Sequence, residues 1–193
     1  DPLGVIDAYR RVKEQIPEVQ LALIGSMAAD DPEGLLYYAK SLRRAGEDFD
    51  VHILSNFDGV YDREVNAFQT LADIIIQKSV REGFGLVVAE ALWKKKPVLG
   101  GRVGGIPLQI IEGETGYLMG DTDSYVGTCL YLLRNRDAAK EMGKKAKEHV
   151  RKNFLSTRHV RDYLNMFHSL IAEKPVEKSA EPAGAGAGAG SKQ

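Results

Sequence analysis

The sequence has little that would cross-link the chain, attract it to a polyanion or hold it in a bilayer. Its 193 residues include one cysteine, Cys129, so no disulfide can form within the chain, which is typical of a reducing compartment. With 26 Lys and Arg against 27 Asp and Glu, the charge balance disfavours a nucleic-acid partner. No apolar run reaches the roughly 20 residues that span a membrane, and no signal peptide opens the chain. We expect a cytoplasmic domain, and a piece of something larger, because the chain starts at Asp1 without methionine.

The apolar residues that are present alternate between two periods. Short runs predict strands at Val19–Ile24, Val51–Leu54, Asp73–Gln77, Pro97–Leu99 and Tyr117–Met119, and helical spacing predicts helices at Val5–Ile16, Leu35–Leu42, Arg63–Leu71 and Phe84–Lys94. Short apolar strands that alternate with helices predict a doubly wound α/β domain with a parallel sheet covered on both faces. Such a domain usually opens on a strand, so we expect a first strand upstream of Asp1.

The pattern becomes purely helical after Met119. It predicts helices at about Asp123–Arg134, Ala138–Lys152 and Thr157–Ala172, and the last of these carries a broad apolar stripe that must bury against something. Beyond Glu173 the composition turns to Lys, Glu, Pro and alternating Ala-Gly, which cannot build a core. We therefore expect one domain over 1–172 and a disordered tail or linker over 173–193.

Three segments follow predicted strands, where open parallel sheets bind their ligands. They are Gly25-Ser26, Lys78–Leu86 and Gly100–Pro107. The middle one is the most informative, because glycines allow close backbone approach and free N–H groups near Phe84–Val87 would attract a phosphate or diphosphate. Glu82 precedes that helix and Glu90 lies about 9 Å along it, so the two carboxylates could grip hydroxyls at both ends of a nucleotide sugar. Ordinary helix-end and solvated glutamates remain the alternative.

The segment Glu82–Ala91 reads EGFGLVVAEA and resembles the E-x7-E signature of retaining glycosyltransferases with the two-domain GT-B architecture, family 4-like. Lys96-Pro97-Val98, Val103–Pro107 and Gly113–Leu118 continue the family pattern in the right order. Leu108-Gln109 departs from it, since most members have Glu after Gly-Gly-x-Pro. Gly-Gly-Ile-Pro-Leu-Gln, together with the upstream Gln77–Phe84, resembles the trehalose synthase and trehalose phosphorylase branch, and the form Phe84-Gly85-Leu86 favours the synthase.

The resemblance implies a Rossmann-like, carboxy-terminal domain that binds the sugar donor, and it implies a role for each site residue. Glu82 would hold the donor glucose and help align its anomeric carbon, and Glu90 would bind the nucleotide ribose. The donor's sugar and phosphates would meet Gly25, Lys78, Gly83, Phe84, Gly85, Leu86 and Val87, and Phe57 would stack on the base.

The same resemblance implies transfer of glucose from a nucleoside-diphosphate-glucose to free glucose, which makes trehalose with retained stereochemistry. No side-chain nucleophile, cofactor or metal is required, because the leaving group is stabilised electrostatically. An Arg and a Lys for the diphosphate, and the domain that binds the glucose acceptor, would lie upstream of Asp1. We therefore expect this chain alone to bind donor weakly and to be inactive, with an exposed last helix that favours a homodimer.

Two other functions stay open at this point. One is a phosphorylase that uses inorganic phosphate and a disaccharide, and the other is a nucleotide-sugar-binding module without chemistry. Asp121-Thr122-Asp123 spells the D-x-D pattern that binds metal in another glycosyltransferase fold, but its place before a helix favours capping. The histidines show no zinc-site spacing, so we predict no metal site.

Overall fold

The computed structural model describes residues 1–28 and 32–172 of the chain. The five strands are β1 Leu21–Gly25, β2 Val51–Ser55, β3 Ile75–Gln77, β4 Val98–Gly101 and β5 Gly116–Met119. The eight helices of this described part are α1 Pro2–Lys13, α2 Pro32–Ala45, α3 Asp62–Leu71, α4 Leu86–Trp93, α5 Ile106–Gln109, α6 Thr122–Arg134, α7 Arg136–Asn153 and α8 Ser156–Ala172, and a 3₁₀ turn spans Asn56–Asp58. The predicted tail over 173–193 lies outside the described residues. None of the described helices is both long and apolar enough to cross a membrane.

Every strand pairing is parallel, which confirms the predicted α/β class. The strands form two hydrogen-bonded sheets, one of order β1-β2 and one of order β3-β4-β5, where the sequence predicted one. In the first sheet Gly25 pairs with Ser55, and in the second Gln77 pairs with Gly100. The carboxyl ends of neighbouring strands therefore lie side by side within each sheet.

Helices cover both faces of the three-stranded sheet, as the doubly wound prediction requires. Val98 and Leu118 belong to a core cluster with residues of α4 and α7. Their strand neighbours Leu99 and Met119 belong to a second cluster with residues of α1 and α6. Because successive strand side chains point to opposite faces, this division shows one apolar core on each side of β4 and β5.

At the carboxyl edge of this sheet, one predicted helix start was wrong and one short helix was not predicted. Helix α4 begins at Leu86 and not at Phe84, because Gly85 adopts left-handed backbone angles (φ 82°, ψ 63°) that a helix cannot continue. The turn after β4 also contains a short helix, α5, which the sequence analysis did not predict. Both differences fall within the segments that were singled out for ligand binding.

The chain divides into two units, Asp1–Leu155 and a second that begins at Ser156. Helix α8 is the described part of the second unit, and none of its residues is buried. Its exposed apolar side chains are Val160, Tyr163, Leu164, Met166, Phe167, Leu170 and Ile171. The stripe that the sequence predicted is therefore present, and it is exposed to solvent.

Candidate functional site

The loop after β3 holds the side chain of Glu82 in one orientation. Its Oε2 accepts hydrogen bonds from Gln77 Nε2 at 3.2 Å and from Ser79 Oγ at 3.1 Å. Its Oε1 accepts from the backbone N–H of Gly83 at 3.1 Å. Three donors thus position a partly buried carboxylate at the carboxyl end of β3, beside the glycine-rich turn into α4.

Glu90 is held by a second set of partners, on the next helical turns. Its Oε2 accepts from Gln69 Nε2 at 2.9 Å, and Gln69 Oε1 accepts from Lys94 Nζ at 2.6 Å. Gln69 comes from α3 and is buried, so this network ties α3 to α4. Because α4 begins at Leu86, Glu90 lies about 6 Å from the helix start along the axis, closer than the sequence-based estimate.

Between the two carboxylates the backbone offers a row of unpaired donors. Within the described part of the chain, the N–H groups of Phe84, Gly85, Leu86 and Val87 donate to no protein acceptor. The last two belong to the first turn of α4, where a helix leaves its N–H groups free and its dipole favours negative charge. Leu86 and Val87 are exposed residues, whereas Gly85 has little exposed area.

The glycines around this row serve two different purposes. A Cβ at Gly83 would meet no atom within 4 Å, so its exposed surface is open to a ligand. A Cβ at Gly104 would collide with the carbonyl oxygen of Glu82, and one at Gly105 would lie 2.9 Å from Phe84 Cα. The Gly104-Gly105 pair therefore lets the turn after β4 pack directly against the backbone of the donor row.

Gly25 and Phe57 come together at the carboxyl ends of the other sheet. Asn56 bridges the two loops, since its Oδ1 accepts from the Met27 N–H at 2.7 Å and its Nδ2 donates to the Met27 carbonyl at 3.2 Å. Gly25 has room beside it, and the Phe57 side chain is exposed. Among the described residues, no hydrogen bond or ion pair joins these two loops to the donor row.

Lys78 faces a separate cleft of about 300 Å³ at the ends of β3, β4 and β5. Its ammonium forms an ion pair with Asp1 and lies 5.7 Å from the centre of the Tyr125 ring. Arg102 lines the same cleft and pairs with Glu112 at 3.4 Å. Lys78 is therefore engaged by Asp1, while the predicted phosphate-binding backbone lies outside the lining of this cleft.

Two interpretations that assigned structural roles are confirmed. Asp121 caps α6, and its carboxylate accepts from the Ser124 N–H at 2.8 Å. Cys129 is buried in the core, and burial raises the pKa of its thiol to about 12, which disfavours the reactive thiolate. No cluster of three or more His, Cys, Asp or Glu side chains suited to a metal ion is found among the residues that the structure describes.

Four polar residues organise the site although the sequence assigned none of them a role: Gln69, Gln77, Ser79 and Gln109. Gln77 and Ser79 flank Glu82 closely enough that a local polar pattern could have indicated them. Gln69 lies 21 residues before its partner Glu90, and no local pattern marks such a contact between helices. Gln109 was noticed only as part of a departure from the family motif.

Comparisons with known proteins show the family and the fold of this chain. The family model described as "Glycosyl transferases group 1" matches residues 2–149. The chain belongs to the group 1 glycosyltransferase family. Its fold is that of the Rossmann-like carboxy-terminal domain of GT-B glycosyltransferases. The UDP-glucose complex of Anabaena HepE superposes with a TM-score of 0.72 at 18% identity, covering 86% of this chain and 44% of HepE.

Within this glycosyltransferase family, the chain is similar to trehalose synthases. It is 56% identical over 165 residues to trehalose synthase from Thermococcus litoralis, which covers 86% of this chain and 40% of the relative. Trehalose phosphorylase from Grifola frondosa is more distant, at 34% identity over 76% of this chain and 22% of the relative. The chain thus spans about two fifths of the length of the synthases it matches.

Proposed function

We propose that this chain is the donor-binding part of a glycosyltransferase that moves glucose from a nucleoside-diphosphate-glucose to free glucose and so makes trehalose. The observation that carries the proposal is the row of free N–H groups from Phe84 to Val87, set between two positioned carboxylates. The comparisons support the proposal because the sequence identity to trehalose synthase, 56%, is well above the 34% to trehalose phosphorylase.

In this proposal the negative diphosphate meets the donor row, because backbone N–H groups at a helix N-terminus bind anions. Glu82 accepts hydrogen bonds from hydroxyls of the donor glucose, with its carboxylate already oriented by Gln77 and Ser79. Glu90 accepts hydrogen bonds from the ribose, using the carboxylate that Gln69 orients. Gly25 and Phe57 extend the site toward the second phosphate and the base.

Glucose transfer requires the enzyme to stabilise the departing diphosphate while a hydroxyl of the acceptor glucose attacks the anomeric carbon of the donor. Preorganised hydrogen-bond donors that point at the developing charge supply such stabilisation. In this chain the N–H groups of Phe84–Val87 would provide part of it. The acceptor glucose and further cationic groups would come from a partner domain. No metal ion is needed in this scheme, and EDTA is expected to leave donor affinity unchanged.

Titration calorimetry of the chain with UDP-, ADP- and GDP-glucose tests the proposal. Glu90→Ala should weaken binding of the preferred donor about 10- to 100-fold, because a hydrogen bond to a charged group contributes about 1.5–3 kcal/mol. Glu47→Ala, at an exposed glutamate of another loop, is the control and should bind like the unmodified chain.

Equal affinity of Glu90→Ala and the unmodified chain would contradict the assigned role of Glu90. Binding of trehalose and inorganic phosphate without binding of any nucleotide sugar would select the phosphorylase alternative. If transfer activity fails to appear after an acceptor domain of a trehalose synthase is supplied, while donor binding is normal, the chain is a binding module.

A further inference from the structure

Gln109, the last residue of α5, is a polar residue with no exposure to solvent. Its Nε2 donates to the carbonyl of Phe84 and, at 3.3 Å, to the carbonyl of Gly85. Its Oε1 is buried and has no hydrogen-bond partner in the described part of the chain. An unsatisfied buried acceptor destabilises a fold, and here it accompanies an Nε2 group that satisfies backbone carbonyls of the glycine-rich turn.

The two carbonyls that Gln109 binds are those of Phe84 and Gly85, two of the residues whose N–H groups form the donor row. In a trans peptide the C=O of one residue and the N–H of the next point in opposite directions. Holding the Phe84 carbonyl toward α5 therefore turns the Gly85 N–H away from it. The Gly85 carbonyl also accepts from the Val88 N–H at 2.9 Å, so α4 itself shares in orienting the Leu86 N–H. The carbonyl of Gly83 accepts from the Gly105 N–H at 2.6 Å, which turns the Phe84 N–H in the same way.

The segment from Gly104 to Gln109 thus engages three consecutive carbonyls of the glycine-rich turn. The Gly104-Gly105 pair allows the close approach, and the Gln109 side chain supplies the donor that the backbone of α5 cannot. The Phe84 carbonyl depends most on this restraint, because among the described residues only the Gln109 side chain donates to it, whereas the Gly85 carbonyl also accepts from the Val88 N–H.

We propose that Gln109 is a positioning residue for donor binding: its carboxamide fixes the peptide plane between Phe84 and Gly85, so that the Gly85 N–H faces the diphosphate, and it supports the Gly85 carbonyl that α4 also holds. This inference rests on the proposed function for its ligand, while the conformational part concerns the free protein. The residue acts through the backbone and does not touch the nucleotide sugar.

The test compares Gln109→Met with Thr115→Val. Methionine keeps the length of the side chain without a donor. Thr115 is also a buried polar residue bonded to backbone, at Ile111 and away from the donor row, so its variant controls for the general loss of a buried hydrogen bond. Gln109→Leu, which also lacks a donor, is the second variant should the methionine protein fail to fold, and the same results are expected for it.

Two readouts separate this inference from the proposed function. In the ligand-free protein, amide NMR should show shifts at Phe84, Gly85 and Leu86 in Gln109→Met and not in Thr115→Val. By calorimetry, Gln109→Met should bind the preferred nucleotide sugar at least tenfold more weakly, with less than a twofold change for Thr115→Val.

Unchanged amide shifts at these three residues would overturn the positioning role, whatever the ligand does. Unchanged donor affinity in Gln109→Met, when the unmodified chain binds donor, would overturn it as well. If the unmodified chain binds no nucleotide sugar but the shifts occur as expected, the failure belongs to the proposed function.

Discussion

At the scale of single residues, the glycines of the site show how similar motifs serve different ends. Gly83 has open space where a Cβ would be, whereas Gly104 faces the carbonyl oxygen of Glu82. In a sequence both are glycines in a loop after a strand. Only the position of the neighbouring backbone separates a glycine that admits a ligand from one that admits another loop.

Substituting Gly104 should therefore be far more damaging than substituting a glycine of similar conformation elsewhere. Gly104 has φ 55° and Gly46 has φ 64°, but a Cβ at Gly46 would meet nothing within 4 Å. Gly46→Ala should cost about 1–2 kcal/mol, the ordinary cost of a left-handed alanine, while Gly104→Ala adds a backbone collision and should cost clearly more. Urea unfolding of both variants measures the difference. Equal costs would mean that the turn after β4 moves away freely.

The tertiary structure also changes the pKa of a histidine beside the site, His149. Burial lowers the pKa of His149, and the backbone of Gln109 opposes that shift. The His149 ring packs edge-on against Phe154, which in turn lies 6.0 Å from Phe84. The sequence analysis found no zinc-site spacing for this histidine, and the structure gives it a packing role behind the glycine-rich turn.

At the scale of elements, α4 shows what periodicity can and cannot predict. The apolar pattern predicted a helix here, and Val88, Ala91 and Leu92 are indeed buried. The start was wrong by two residues because the left-handed Gly85 ends the turn, so Phe84 and Gly85 belong to the glycine-rich turn and not to the helix. The sequence motif identified this segment, but the backbone conformation of Gly85 determines where the helix begins.

Helix packing gives a matched pair of glycines in neighbouring helices. Gly127 in α6 is exposed with nothing within 4 Å of its Cβ position, whereas a Cβ at Gly143 in α7 would collide with the carbonyl of Lys95. Gly127→Ala should stabilise the protein by about 0.5–1 kcal/mol, since alanine is the better helix former. Gly143→Ala should destabilise it, because α7 must move away from the turn after α4.

Thermal unfolding monitored by circular dichroism measures both changes. A loss of stability in Gly127→Ala would show that helix propensity at this position does not limit the stability of the protein. A neutral Gly143→Ala would show that α7 can shift against Lys95 without cost, contrary to the close contact in the structure.

At the scale of the whole molecule, the two sheets differ in how well they are covered. All residues of β4 are buried, whereas β1 has no buried residue and β2 has one, Ser55. A two-stranded sheet with exposed side chains is marginal, while a three-stranded sheet between two helical layers is well supported.

Hydrogen exchange should reveal this difference as two levels of protection. Local opening needs less free energy where few apolar contacts are lost, so the amides of β1 and β2 should exchange at least tenfold faster than those of β4 and β5. Exchange followed by NMR at neutral pH measures the rates strand by strand. Equal protection in both sheets would show that they unfold as one cooperative unit.

The sequence by itself determined the parallel α/β class, nearly all helices and strands, and the segment that forms the site. These follow from apolar periodicity and from strand-to-helix turns, which are local properties of the chain. Position and spacing also singled out Glu82 and Glu90 in that segment, and the resemblance to a known family gave each a role. Their assigned roles in binding stay predictions.

Only the tertiary structure decided how the sheet divides, where α4 begins and which polar side chains hold the site in place. Gln69 meets Glu90 across two helices, and Gln109 reaches the carbonyls of Phe84 and Gly85 from 24 residues away or more. Such contacts depend on how separate elements pack, and a buried amide leaves no periodic signal in the sequence. The direction of the N–H groups in the donor row is likewise a tertiary property, because distant residues bind the carbonyls that orient it.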